Sequence, residues 1–229
     1  MNNTHNKNSP EFLSAISITA WIIITNIIVW IILFILLNIN EDYINYFALN
    51  PDLIMQGKYI WTIILHMFSH LSPLHLFVNM FALFSFGKLC ERIIGRKRFG
   101  WFYITAGLVA GILSVLLSYF FGYGFGERIL GSPAVYMIGA SGAIFGIAGL
   151  FVVLLPRLKF SIIFLPFWSF PAYIIVPALL VILWALSIGF NLPVGNVAHF
   201  GGLLSGLIYG FYLRNKYQKK VYMLQRMFR

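Results

Sequence analysis

Charge is what this chain has least of. Only 10% of its 229 residues are charged and 60% are hydrophobic, whereas a soluble domain carries roughly 25% charged residues. Such a chain would leave too much apolar surface in water, so its solvent must be lipid. Acids are the scarcest of all: Glu11, Glu41, Asp42, Asp52, Glu91 and Glu127 are the six, and each falls in a connection or at a helix end. A small transporter or channel would carry charged groups at the bilayer midplane, and no apolar segment here has one at mid-depth. The single cysteine, Cys90, excludes an internal disulfide and a cysteine-rich metal site. With Lys88 and Arg92 beside it, Cys90 reads as inert at a helix end. The net charge of +10 could suit nucleic acid, but most of it flanks apolar segments and acts as a topology signal. Internal repeats and low-complexity tracts are also absent.

What the chain does have is long apolar segments. Six are of a length, roughly 17–25 residues, that crosses a hydrocarbon core of about 30 Å: 14–37, 73–94, 100–121, 139–155, 170–189 and 196–213. The first exceeds the 7–15 apolar residues of a signal-peptide core, and the polar Asn38-Ile39-Asn40-Glu41 after it offers no small-x-small cleavage site. It is therefore expected to stay as a transmembrane helix. The domain reading is a short polar N-terminus at 1–13, a membrane domain at 14–213 and a basic tail at 214–229. Fourteen Lys and Arg fall on one side of these spans, against Lys58 and Arg128 on the other. The positive-inside rule then puts both termini in the cytoplasm, as an even number of spans requires. The first external connection, 38–72, is apolar around Trp61, Ile63, Ile64, Leu65, Met67 and Phe68, which suits it to the membrane interface.

The fourth apolar segment opens with Gly139-Ala140-Ser141-Gly142. A serine in a membrane helix ordinarily just bonds a carbonyl one turn back, so company at the same depth is what matters. Counted at 1.5 Å per residue from the basic residues that mark the cytoplasmic ends, Ser141, His199, Asn79 and His75 all lie about 20–26 Å up. These positions are on the second, fourth and sixth spans, which run in one direction. A histidine in hydrocarbon is costly and marks a functional site with a partner. Gly202, Gly206 and Gly210 give the sixth span a small-residue ridge containing His199, and the fourth offers Gly142, Gly146 and Gly149. Packing the two ridges would bring the imidazole to the hydroxyl, which needs such a base to become a nucleophile. No acid lies at this depth, so the expected unit is a Ser–His dyad. The Ala140 and Ser141 backbone N–H groups at a helix start, with His75 and the Asn79 amide, are the candidate oxyanion donors. Asn79 could instead be a polar clamp between helices. His66, His70 and His75 invite a metal reading, but no carboxylate or thiolate lies close in sequence.

Together these residues resemble the rhomboid family of intramembrane serine proteases. The match is His70, then His75-x-x-x-Asn79, Gly139-x-Ser141-Gly142 and Ala198-His199-x-x-Gly202-x-x-x-Gly206, in order and spacing, over about residues 61–210. The resemblance implies an all-α polytopic bundle of six transmembrane helices. It implies that Ser141 is the nucleophile, that His199 is the general base, and that His75, Asn79 and the serine backbone form the oxyanion hole, with His70, Gly139, Gly142, Phe145, Gly202 and Gly206 in support. Transmembrane protein substrates and membrane lipid are the implied partners, with no cofactor, metal or nucleic acid. It further implies a first loop partly embedded in the outer leaflet and substrate entry gated by the fifth helix with the loop after it. The small six-span form suits a prokaryotic plasma membrane. This sequence departs from the family in having Trp61-Thr62 where Trp-Arg is frequent, and Phe145 where some members have tyrosine. A catalytically silent relative that binds or escorts transmembrane segments is the second reading, although it would have no use for Ser141, His199 and Asn79.

Overall fold

The computed structural model describes residues 16–162, 165–190 and 194–228. The expected segment 1–13 and the expected start of the first span at Ser14 lie outside them. Long helices make up most of the chain: α1 Ile18–Ile39, α2 Pro73–Ile94, α3 Arg96–Phe121, α4 Ser141–Leu154, α5 Ala172–Phe190, α6 Asn196–Lys216 and α7 Gln218–Met227. By length and composition α1, α2, α3 and α5 can each cross a membrane. Their outer faces are apolar, with Ile28, Phe34 and Ile35 of α1 half-exposed. In water such a surface would be a large exposed patch; in lipid it is the expected face.

Several expected boundaries move, each for a local reason. α4 has 14 residues, about 21 Å, instead of the expected 139–155. Gly139 has φ +124°, outside helical space, and Leu155 precedes Pro156, where the helical conformation is disfavoured. α3 starts at Arg96 rather than at residue 100, so its first turn carries Arg96, Lys97 and Arg98. α5 begins at Ala172, so Pro171 ends a strand and only Pro177 is inside the helix. Within connection 156–171, β1 Lys159–Ile162 and β2 Leu165–Pro171 pair antiparallel. The basic tail is partly helical, as α7.

α4 is the central element. Residues 142–151, 153 and 154 are all buried, and α6 lies along it in backbone contact. A Cβ added at Gly202 would collide with the Gly142 carbonyl, and one at Gly206 with the Gly146 carbonyl. From the other side α3 approaches with Ala110 against Gly142 and Ala106 against Gly146. The larger core below contains Phe99, Tyr103, Ile147, Leu150, Phe151 and Leu83.

At the opposite end from Ser141, one carboxylate docks α1. Ser17 caps α1 by accepting from Ala20 N–H at 3.1 Å. Glu91, 6% exposed near the end of α2, accepts from the Ile18 N–H at 2.8 Å, the Thr19 N–H at 2.9 Å and the Thr19 hydroxyl at 2.7 Å. Arg96 Nε stands 3.7 Å from the same carboxylate. These donors are the otherwise unpaired first-turn groups of α1, and the positive helix end favours the anion.

The first connection is stitched to the segment before Ser141. Leu49 and Met137 exchange backbone bonds at 2.9 and 2.8 Å, and Asn50 Nδ2 donates to the Ala134 carbonyl at 3.0 Å. His66 and His70 lie in this connection, both buried. His66 Nδ1 pairs with the Thr62 carbonyl at 2.9 Å. Burial holds the His66 pKa down at about 4, and burial with repulsion from His75 holds that of His70 at about 3.

Two predictions follow from these contacts. Glu91→Ala leaves three buried donors unpaired, so the unfolding free energy in mixed micelles should fall by about 3 kcal/mol or more, with Glu91→Gln intermediate; an unchanged value would remove Glu91 from the account of α1 docking. For the histidines, both folded pKa values are depressed, so the unfolded chain binds protons that the folded chain refuses. Stability is unaffected above about pH 6.5 and falls below it, by up to about 1.4 kcal/mol per pH unit for each ring. Thermal midpoints measured from pH 7.5 to 4.5 should therefore drop below pH 6.5, and His66→Gln should flatten the drop.

Candidate active site

The turn before α4 is shaped by the first connection. The Gly139 N–H donates to the His66 carbonyl at 2.9 Å. The His75 ring lies against Gly139, so a Cβ there would come within 2.8 Å of His75 Cε1. With its positive φ as well, this position admits only glycine. The Ala140 N–H, expected among the oxyanion donors, is directed instead at His70 Nε2, 3.5 Å away. α4 then starts at Ser141 with no side-chain cap, so the Ser141 N–H and its first-turn neighbours are unpaired within the helix and carry its positive end.

Ser141 Oγ is 2.8 Å from His199 Nε2. His199 lies in the first turn of α6, 7% exposed. Its ring stacks on Phe145, with centroids 4.5 Å apart and planes 24° apart. Phe145 is one turn along α4 from Ser141, so the stacking partner and the hydroxyl share a helix face. The tyrosine hydroxyl found in some rhomboids is not needed for this contact. Gly142, Gly202 and Gly206 act at a distance, by letting α6 close onto α4 until the ring reaches the hydroxyl.

α2 supplies the other side. Ser72 caps it by accepting from the His75 N–H at 3.2 Å, with Pro73 in its first turn. His75 is half-buried and packs edge-on against His70, ring centroids 4.9 Å apart. Asn79 is buried one turn further on; its Nδ2 donates to the His75 carbonyl at 2.9 Å. That bond uses one of two amide hydrogens, while Oδ1 has no partner among the described residues. Direct contacts thus connect Ser141 with His199, His199 with Phe145, Gly139 with His75, and Ala140 with His70. Asn79 meets this cluster through His75.

Sequence reasoning missed three neighbours. Asn196 is buried in the first turn of α6 and its Nδ2 bonds Ser187 Oγ of α5. Ser187 in turn donates to the Trp184 carbonyl at 2.9 Å, and Trp184 Nε1 donates to the Ile129 carbonyl at 2.8 Å, in the short helix Phe125–Leu130. Asn196 precedes His199 by three residues, on one helix face, and that spacing was the available signal. At the first connection, Trp61 is half-exposed with its Nε1 donating to the Tyr46 carbonyl at 3.1 Å. Thr62, where an arginine is frequent in rhomboids, is fully buried and bonds the Tyr59 carbonyl at 2.8 Å.

A family model described as the Rhomboid domain matches residues 57–216. Rhomboid protease GlpG of Haemophilus influenzae is 30% identical over 171 residues, which are 75% of this chain and 79% of that protein. RHOMBOID-like protein 5 of Arabidopsis thaliana is 32% identical over 166 residues, covering 72% of this chain and 48% of its own length. The human mitochondrial presenilin-associated rhomboid-like protein is 30% identical over 177 residues, 76% of this chain and 43% of its own length. The matched span includes His70, His75, Asn79, Ser141, Phe145 and His199, and the chain belongs to the rhomboid family, as an integral membrane protein.

Proposed function

We propose that this chain is an intramembrane serine endopeptidase, hydrolysing peptide bonds in or near the outer part of other proteins' transmembrane helices. The observation that carries this reading is the 2.8 Å contact between Ser141 Oγ and a buried, ring-stacked His199. In the proposed reaction, Oγ attacks the scissile carbonyl as its proton passes to His199 Nε2. The carbonyl oxygen becomes an anion facing the Ser141 N–H at the positive end of α4, with His75 and the free Asn79 amide hydrogen as further donors. Collapse breaks the C–N bond, and Nε2 returns the proton to the leaving nitrogen. Water then repeats the sequence on the acyl-serine, giving the acid and the free enzyme. Rhomboid protease GlpG is named for such an activity. The second reading, a silent binding protein, leaves the serine–imidazole contact and the uncapped helix start without use.

The same proposal takes residues 14–213 as one six-span protease domain with both termini in the cytoplasm, in a prokaryotic plasma membrane. Ser141 then lies below the outer surface, and a substrate must bring its bond there from lipid. A peptide bond within a regular helix is already hydrogen-bonded and covered by side chains. Local unwinding in hydrocarbon costs several kcal/mol unless water or protein satisfies the freed groups. Good substrates therefore carry helix-poor residues such as glycine just inside the outer end of their span, with a small residue at the cut.

The expected outcomes concern the dyad and the hole. Ser141→Ala and His199→Ala should each abolish cleavage of a single-span substrate in liposomes, with the double variant no worse than either; substantial turnover by folded Ser141→Ala would refute the reading. Asn79→Ala should lose roughly a hundredfold to a thousandfold in rate, the usual worth of one oxyanion donor, while still taking up a fluorophosphonate. If Asn79→Ala lowers the melting temperature and leaves the rate alone, its bond to the His75 carbonyl is a clamp and no more.

A further inference from the structure

We infer that Asn196 is a positioning residue for His199, its side-chain oxygen holding the imidazole in the tautomer that can take the serine proton; this rests on the protease reading above. For Nε2 to accept from Ser141, the hydrogen of neutral His199 must sit on Nδ1. Nδ1 is buried with no partner among the described residues, which is a costly state for a donor. One turn earlier on the same face of α6, Asn196 Oδ1 is also buried and also without a partner. Both side chains are more than nine-tenths buried, at 5% and 7% exposure. One atom is a donor lacking an acceptor and the other an acceptor lacking a donor.

The surrounding bonds fix which way the amide faces. Ser187 Oγ gives its only hydrogen to the Trp184 carbonyl at 2.9 Å, so towards Asn196 it can only accept. The group bonded to it must therefore be Nδ2, and Oδ1 is left as the free end. A side-chain rotation or one bridging water completes the chain of donors. It runs from Ser141 Oγ–H to His199 Nε2, from Nδ1–H to Asn196 Oδ1, from Nδ2–H to Ser187 Oγ, and from Ser187 to the Trp184 carbonyl. Every link has one donor and one acceptor. When the serine proton moves to Nε2, Nδ1 keeps its own, and the cationic ring lies between the Phe145 face and the Asn196 oxygen. The proton leaves from Nε2 to the departing nitrogen, so Asn196 neither gains nor loses one.

The test uses the full chain reconstituted in phosphatidylcholine liposomes with a single-span substrate. Asn196→Ala should lower kcat by about 10- to 100-fold, by analogy with the loss on removing the partner that orients a metal-ligating histidine, with KM unchanged. Asn196→Asp retains an acceptor and should recover most of the rate. Ser187→Ala leaves Oδ1 in place and should lose clearly less than Asn196→Ala. The inference is overturned if Asn196→Ala keeps wild-type kcat, if Asn196→Asp is as slow as Asn196→Ala, or if Ser187→Ala equals Asn196→Ala. The last result would make the pair a strap between α5 and α6. Should Asn196→Ala fail to fold, the wild-type chain with 15N-labelled histidine decides, with His199→Ala for assignment. A hydrogen-bonded Nδ1–H on His199 supports the inference, and an Nε2–H tautomer or a freely exchanging Nδ1–H sinks it. A wild-type chain that neither cleaves nor takes a fluorophosphonate fails the protease reading itself, and the tautomer measurement still decides the Asn196 bond.

Discussion

The approach of α6 onto α4 without intervening side chains is the contact on which the rest depends. Gly202 and Gly206 lie against the carbonyls of Gly142 and Gly146, leaving no room for a Cβ. At that separation a side chain on one helix reaches the other at full hydrogen-bonding contact, as His199 Nε2 does Ser141 Oγ at 2.8 Å. A methyl group in the ridge would move one helix off the other and take the imidazole with it. Because hydrocarbon offers no hydrophobic driving force between helices, such association rests on van der Waals contact and weak Cα–H···O bonds. The glycine ridge is therefore both the adhesive and the ruler of the site.

Adhesive of that kind is weak per residue, and the bundle adds fixed points at either end. Glu91 ties α1 to α2 away from the serine. At the serine end, the bonds of Leu49 and Asn50 to segment 134–137, with those of His66 and His70 to Gly139 and Ala140, hold the turn that opens α4. The first connection is therefore part of the site's frame, although it contributes no group to the serine–imidazole contact. α5 is held differently, by a small apolar cluster with Phe145, Val176, Leu180 and Leu203 and by polar ties at Trp184 and Ser187. Phe145 belongs to that cluster and also stacks on His199, so the packing of α5 bears directly on the ring.

Much of this was legible in the sequence, because spacing by four on a helix is a statement about one face. The glycine rows, the depth counts and the lack of a nearby acid led to Ser141 and His199, and the α2 bounds coincide with the observed ones. What escaped was set by conformation that apolar content does not encode. The loss of two residues from the start of α4 follows from the positive φ of Gly139, which reflects the His75 ring above it. The strand pair Lys159–Ile162 and Leu165–Pro171 stands in a stretch whose charges mark it only as a connection, although Lys159-Phe160-Ser161-Ile162 alternates with the period of a strand. Ala140 was expected to face the reaction because its N–H precedes the helix, and only the folded first connection could direct it to His70. Asn196 is not visible in the charge pattern, because a neutral amide in an apolar segment reads as an ordinary helix-start residue.

That preference for a neutral group beside the imidazole has an energetic basis. Glu91 marks what this bundle requires in order to bury a carboxylate: two first-turn N–H groups, a hydroxyl and a nearby arginine. Beside His199 no comparable set stands among the described residues, where its partners are Ser141 and the Phe145 ring. A carboxylate at position 196 would keep its acceptor but lose the bond to Ser187 Oγ, whose hydrogen is committed to Trp184. Its desolvation would cost several kcal/mol of folding stability, while the acceptor it keeps would still hold the ring. An amide gives the ring an oriented dipole at all times and leaves the resting site neutral. For a site inside a bilayer, where an uncompensated charge is costly, a serine–imidazole pair supported by a dipole is a cheaper arrangement than one completed by an anion.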